Sequence, residues 1–167
     1  MRVVIIKIGI LITLLSFCTV GCLGNRKYVR GYDCSEFATT FFRKPLKAMV
    51  ADFDNYNIDE QYAIYICGNQ FIHPPMIFLA RPFAKGDDVV DFLKARLLET
   101  SDDLTVRDIV YVFVEMSRQK TYDVVGDSDL MKIMKESVER IKNPGWRRIS
   151  EKDLERIQKL KDKEKIK

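Results

Sequence analysis

A single histidine, His73, is the first constraint on this chain of 167 residues. Zinc sites built on two or more histidines are excluded, and no Cys-x-x-Cys spacing stands in for them. The stretch from Asp127 to Glu136 lacks the glycine and the ligand spacing of a calcium-binding loop. There is no glycine-rich loop to cradle phosphate and no Gly-x-Ser-x-Gly turn to lift a serine nucleophile. The acidic pairs Asp87-Asp88 and Asp102-Asp103 are read as helix starts, where negative charge complements the helix dipole, and not as a catalytic dyad. The expectation is a protein without metal, without cofactor and without catalysis.

Positive charge is also missing where a nucleic-acid partner would need it. The formal net charge is +4, yet from Gly31 to Gly145 there are 14 Lys and Arg against 19 Asp and Glu. From Trp146 onward the balance reverses, with 9 basic against 5 acidic residues. The basic excess therefore sits in an N-terminal cluster of Arg26, Lys27 and Arg30 and in the C-terminal segment. A nucleic-acid binder carries its positive charge on the folded body, so no nucleic-acid partner is expected. The basic ends read as a solvated linker and a solvated helix within reach of anionic head groups.

What is present begins at the N-terminus. Arg2 and Lys7 precede an apolar run from Ile8 to Val20, and small residues lead to a cysteine in Thr19-Val20-Gly21-Cys22. This is the pattern of an export signal, and its last four residues resemble the lipobox of bacterial lipoproteins. The resemblance implies cleavage before Cys22, acylation of Cys22 and a membrane anchor made of several acyl chains, since one chain alone binds only marginally. With Leu23 after the cysteine instead of Asp, it implies the outer membrane facing the periplasm. An ordinary secretory peptide cut near Gly21 or Gly24, and an uncleaved anchor, remain alternatives. The organisation expected is a signal over 1–21, a lipidated N-terminus and linker over 22–32, a helical domain over 33–149 and a basic C-terminal helix or tail over 150–167.

Export reduces four cysteines to two. Cys18 leaves with the signal and Cys22 carries lipid, so Cys34 and Cys67 remain as an even pair in an oxidising compartment. A disulfide between them is expected, stabilising by about 3 to 4 kcal/mol on the chain-entropy account; two buried thiols are the alternative.

The hydrophobic spacing is helical throughout the body. Leu46, Met49, Val50 and Phe53 share one face after Pro45, and Asp59 is read as the N-cap of a helix through Phe71, stopped by His73-Pro74-Pro75. Residues 75 to 83 restart a short helix, and Lys85-Gly86-Asp87 turns into a helix carrying Val89, Val90, Phe92, Leu93 and Leu97. After Asp102-Asp103 comes a stripe of Val106, Ile109, Val110, Phe113 and Met116, in which the β-branched run 110–114 also fits a strand; the flanking signals favour helix. Asp127-Ser128-Asp129 opens the next helix, Asn143-Pro144-Gly145 closes it, and Ser150 with Asp153 reads as a capping box for the last. The fold class expected is all-α, about seven short helices in an irregular bundle or a short α-solenoid. The segment Asp102-Asp103-Leu104-Thr105-Val106-Arg107 resembles the second helix of HEAT repeats, although the helix starts follow no fixed period.

One constellation suggests an enzyme. Asp33-Cys34-Ser35-Glu36-Phe37 resembles the Asp-Cys-Ser-Gly-Phe motif of NlpC/P60 cell-wall amidases, which implies Cys34 as nucleophile and His73 as its base. Glu36 stands where that family has glycine, and the region that should supply its sheet reads as helix. The functional expectation is instead a lipid-anchored envelope protein whose domain binds another protein, with toxin neutralisation of the immunity type as one version. Replacing Cys22→Ser should release the protein from membranes or leave its signal uncut; a variant that is processed and fractionates like wild type would remove the lipid anchor.

Overall fold

The computed structural model describes residues 34–164, so Cys18, Cys22 and the whole export and linker region lie outside the described residues. Among the described residues eight α-helices follow one another: α1 Glu36–Phe41, α2 Leu46–Asp52, α3 Ile58–Gln70, α4 Ala80–Phe83, α5 Asp87–Glu99, α6 Asp103–Gln119, α7 Ser128–Glu139 and α8 Pro144–Glu164. Among the described residues there is no strand, and the all-α expectation holds. Alternate helices stack, α5 on α7 and α6 on α8, an arrangement that an irregular bundle and a short solenoid share.

The ambiguous run 110–114 is helical because its surroundings are apolar on nearly every side. Val110, Val112, Phe113, Val114 and Met116 are fully buried, and α6 packs against α3, α4, α5, α7 and α8. A helix apolar around most of its circumference is stable only in such a position. Its ends are well made: Asp102 Oδ1 accepts from the Thr105 amide at 2.7 Å, and Lys120 closes the helix in the left-handed conformation at φ 59°. Gly86 precedes α5 at φ 77°, a backbone state that favours glycine over any residue with a Cβ.

Several local expectations change. The N-cap of α3 is Asn57, whose Oδ1 accepts from the Glu60 amide at 3.0 Å while Glu60 Oε2 accepts from the Asn57 amide at 3.1 Å. Asp59 lies inside the first turn and pairs with Arg96 across the surface. On α2 only Met49 and the following Phe53 reach the core; Leu46 and Val50 are exposed, because a helix this short offers the core just one narrow stripe. The last helix does not start at Ser150. Asn143 Oδ1 accepts from the amides of Gly145 and Trp146 at 2.9 and 3.1 Å, and Pro144 occupies the first helical position, where its missing N–H costs nothing. The helix then runs unbroken through Ser150, whose hydroxyl donates to the Trp146 carbonyl one turn back.

Cys34 and Cys67 form a disulfide with their Cα atoms 5.6 Å apart. It bolts the chain ahead of α1 onto α3. Next to it, Gly68 admits close packing: a Cβ there would sit 2.8 Å from Phe42 Cζ and 2.9 Å from Met76 Cβ. The aromatic cluster of Phe41, Phe53, Tyr56 and Phe83 meets mostly edge to face over this part of the core.

The far half of α8 is anchored by Ile157, which is fully buried. Ile157→Ala should lower stability by about 3 kcal/mol, the cost of emptying a buried aliphatic site. Leu98→Ala, on a side chain 61 % exposed, should change it by less than about 0.5 kcal/mol. Urea denaturation reads both, and equal effects would mean that α8 is not docked beyond its first turns.

Candidate functional site

Most of the buried polar groups lie on α6 and on the helices α3 and α8 packed against it. On α6, Asp108, Tyr111, Glu115 and Arg118 recur at helical spacing and so share one face. On α8, Trp146, Ser150, Asp153 and Ile157 do the same. Helices α6 and α8 form the most extensive helix pair of the fold, joined at this seam by Arg107 on Trp146, whereas Asp108 is turned to α3 through Gln70.

Three buried carboxylates lie in or beside this pair of helices, each paired with an arginine. The Asp108 side chain is 4 % exposed and is held by the Arg107 guanidinium and by Gln70 Nε2 at 3.1 Å, while Gln70 also donates to Thr105 Oγ1 at 3.2 Å. Burial pushes the Asp108 carboxyl above the usual carboxylate range, against the pull of Arg107 and Gln70. Tyr65, fully buried on α3, donates its hydroxyl to the Asp108 backbone carbonyl at 2.9 Å, and desolvation raises its own phenol. Glu115 is bound by Arg118. Asp153 accepts from Arg156 at 3.1 Å; burial raises it as well, and the charges of Arg156, Arg107 and Arg118 all oppose that rise. Of the three, only Arg156 contacts the Asp153 carboxylate.

The arginines have a second side. Side chains of Arg118 and Arg156 are about half exposed, and that of Arg107 lies with its guanidinium 4.6 Å over the Trp146 ring. Tyr111, half-buried beside Glu115, completes the surface. The outward aspect of the seam is thus arginine, tryptophan and tyrosine, the residue types that dominate protein recognition surfaces. A guanidinium fork suits carboxylates on a partner. Chemistry on a substrate has no obvious actor here, because each acid is committed to an ion pair.

At the far end of α6 a cleft of about 270 Å³ is lined by Ser117, Lys120, Tyr122, Val124 and Leu160 and crossed by the Lys161–Asp123 bridge at 2.7 Å. It falls below the roughly 300 Å³ at which ligand pockets begin. Among the described residues no group of three or more His, Cys, Asp or Glu is placed to hold a metal ion, and no helix is long and apolar enough to cross a membrane.

The residues singled out from the sequence lie elsewhere. Cys34 and Cys67 are joined to each other, and His73 is exposed in the segment after α3, ahead of a cis peptide to Pro74. Cys22 lies outside the described residues. The seam itself was hidden because Ser150 and Asp153 read as a cap, while Asp108 and Glu115 drew no reading from the sequence. The signal that could have found it is the recurrence of polar residues at helical spacing inside an otherwise apolar helix. Comparison with known proteins finds no matching family model, no similar curated protein and no similar solved structure.

A clamp positions the start of α8 on the seam. The Asp103 carboxylate, in the first turn of α6, accepts from the amides of Lys142 and Asn143, the latter at 2.8 Å. These backbone donors, Asn143 first, hold its carboxyl below the ordinary 3.8. A folded-state pKa lowered in this way contributes stability above the unfolded value and loses it as pH falls through the folded one. Asp103→Asn should therefore lower the urea midpoint at about pH 6 and differ progressively less from wild type below about pH 3. A difference that persists unchanged into acid would show that the carboxylate charge is not what holds the connection.

Proposed function

We propose that the protein is a bacterial envelope lipoprotein, anchored through Cys22 to the outer membrane and facing the periplasm, whose all-helical domain works by binding another protein. The observation that carries this reading is the α6–α8 seam. Buried carboxylates hold Arg107, Arg118 and Arg156 in place, with Arg107 on the Trp146 ring, so the surface is preorganised and loses little side-chain freedom when a partner docks. A partner segment rich in carboxylates is the complement. Toxin neutralisation of the immunity type is a finer version, favoured by the small helical body and by the exposed carboxylates of Asp87, Asp88 and Asp91 at the start of α5.

The amidase alternative requires a Cys34 thiolate with His73 beside it and a sheet behind them. Against it stand the bridge from Cys34 to Cys67, which leaves no thiol to ionise, and the all-helical setting of both residues.

Cross-linking of the membrane-tethered protein in cells, followed by comparison with the variant Glu115→Gln, Arg118→Gln, Asp153→Asn and Arg156→Gln, tests the binding role. Each ion pair is replaced whole, so no buried carboxylate loses its partner; the variant should fold, as urea denaturation checks, and fractionate like wild type while retention of the cross-linked partner drops at least about tenfold. Identical partners at identical yield, or hydrolysis of cell-wall peptides by the wild type, would overturn the reading.

A further inference from the structure

The first helices carry an exposed face that the core does not use. Between Arg43 and Ala51 the exposed residues are Arg43, Pro45, Leu46, Lys47, Val50 and Ala51, with no carboxylate among them. Leu46 is 56 % exposed and Val50 47 %. The acids nearest this face are engaged: Asp52 with Lys44 at 2.8 Å, and Asp54 with Lys85 at 2.6 Å. What remains outward on α2 and the turn before it is two aliphatic side chains and a proline between two cations.

We propose that this face docks on the surface of the membrane to which the chain is tethered, inserting Leu46 and Val50 among acyl chains while Arg43 and Lys47 meet anionic head groups. The proposal rests on the lipid anchor at Cys22. Residues 23–33 are all that separate Cys22 from Cys34, where the disulfide fixes the chain to α3. A chain of eleven residues reaches at most about 40 Å. The face begins within a few residues of α1 and so never leaves the neighbourhood of the bilayer. Two aliphatic side chains and two cations bind a membrane weakly on their own, but a tether turns that weak contact into an intramolecular one at an effective concentration of the order of millimolar. Charge points the same way: Arg26, Lys27 and Arg30 in the linker have the sign of Arg43 and Lys47, and anionic lipid attracts all five. Docking would restrict how the domain is oriented over the membrane.

The full chain, extracted from membranes and reconstituted into vesicles of phosphatidylethanolamine and phosphatidylglycerol with brominated acyl chains, tests the contact. Trp146 is the only tryptophan of the wild type and supplies the background. In Val50→Trp, and independently in Leu46→Trp, the added emission should be quenched by brominated lipid at least about threefold more than that of Trp146, as for an indole inserted at the interface. Adding Arg43→Glu and Lys47→Glu, or replacing phosphatidylglycerol by phosphatidylcholine, should abolish that excess. Emission of both variants indifferent to brominated lipid overturns the proposal, and shielding from both lipid and aqueous iodide does so by showing that protein covers the face. The mass of the N-terminal peptide separately reads acylation at Cys22. An acylated chain without quenching removes the docking surface alone, and an unacylated chain that is still quenched removes the anchor and keeps the surface.

Discussion

Burial of α6 on nearly every side is the constraint from which the rest of the structure follows. Most of its circumference is apolar and meets α3, α4, α5, α7 and α8; it also carries Asp108, turned to α3, and Glu115, which water does not reach. A carboxylate removed from water needs charged or hydrogen-bonded partners. Arg107 and Arg118 supply them from α6 itself, Gln70 reaches over from α3, and Trp146 on α8 covers Arg107. Helix α8 is held along α6 by the Asp103 clamp at its start and by buried Ile157 in its far half.

Such pairs are poor sources of stability, because the desolvation of both ions consumes most of the attraction, and apolar residues of equal volume often do as well. Their use here is geometric. A buried acid holds one edge of its guanidinium, and the other edge is left pointing outward at a defined position. In Arg118 and Arg156 the partner carboxylates are at least nine-tenths buried while the arginines are half exposed, so the ion pair fixes a surface feature from beneath. That division of labour separates the seam from surface bridges such as Lys132–Glu136 or Lys159–Glu155, where both partners are solvated and neither is held.

The all-helical class was readable because apolar residues recur at helical spacing in α5, α6 and α7, and because Asp102 and Asp127 are N-caps in the structure as they are in the sequence. The disulfide was readable from the even pair, Cys34 and Cys67, that the expected export signal leaves. Errors occurred where one signal has two readings. Asn143-Pro144-Gly145 can stop a helix or start one, and it stands four residues after α7 ends, so it begins α8. Asn57 and Asp59 both suit an N-cap, and only the reciprocal bond with Glu60 decides between them. Leu46 and Val50 fit an apolar stripe that α2 is too short to bury. The buried acids were unreadable for a deeper reason: whether they face water depends on helices distant in sequence, as Asp108 depends on Gln70 of α3.

The charge asymmetry of the chain takes on a different meaning in this light. Read linearly, an acidic body is followed by a basic tail, and the tail looks like a solvated appendage. In the fold the tail is a docked helix: Lys161 reaches Asp123 beyond the end of α6, Arg156 pairs with Asp153 within α8, and α6 lays Arg107 on the Trp146 ring. Its basic charge is therefore met partly by acids of its own helix and partly by the segment that follows α6. On the opposite side of α8, Arg148, Lys152 and Lys159 are exposed, Lys159 beside Glu155. The C-terminal helix therefore completes the core with one side and presents cations with the other, and an acidic partner recognised at the seam would meet that positive surface as its rim.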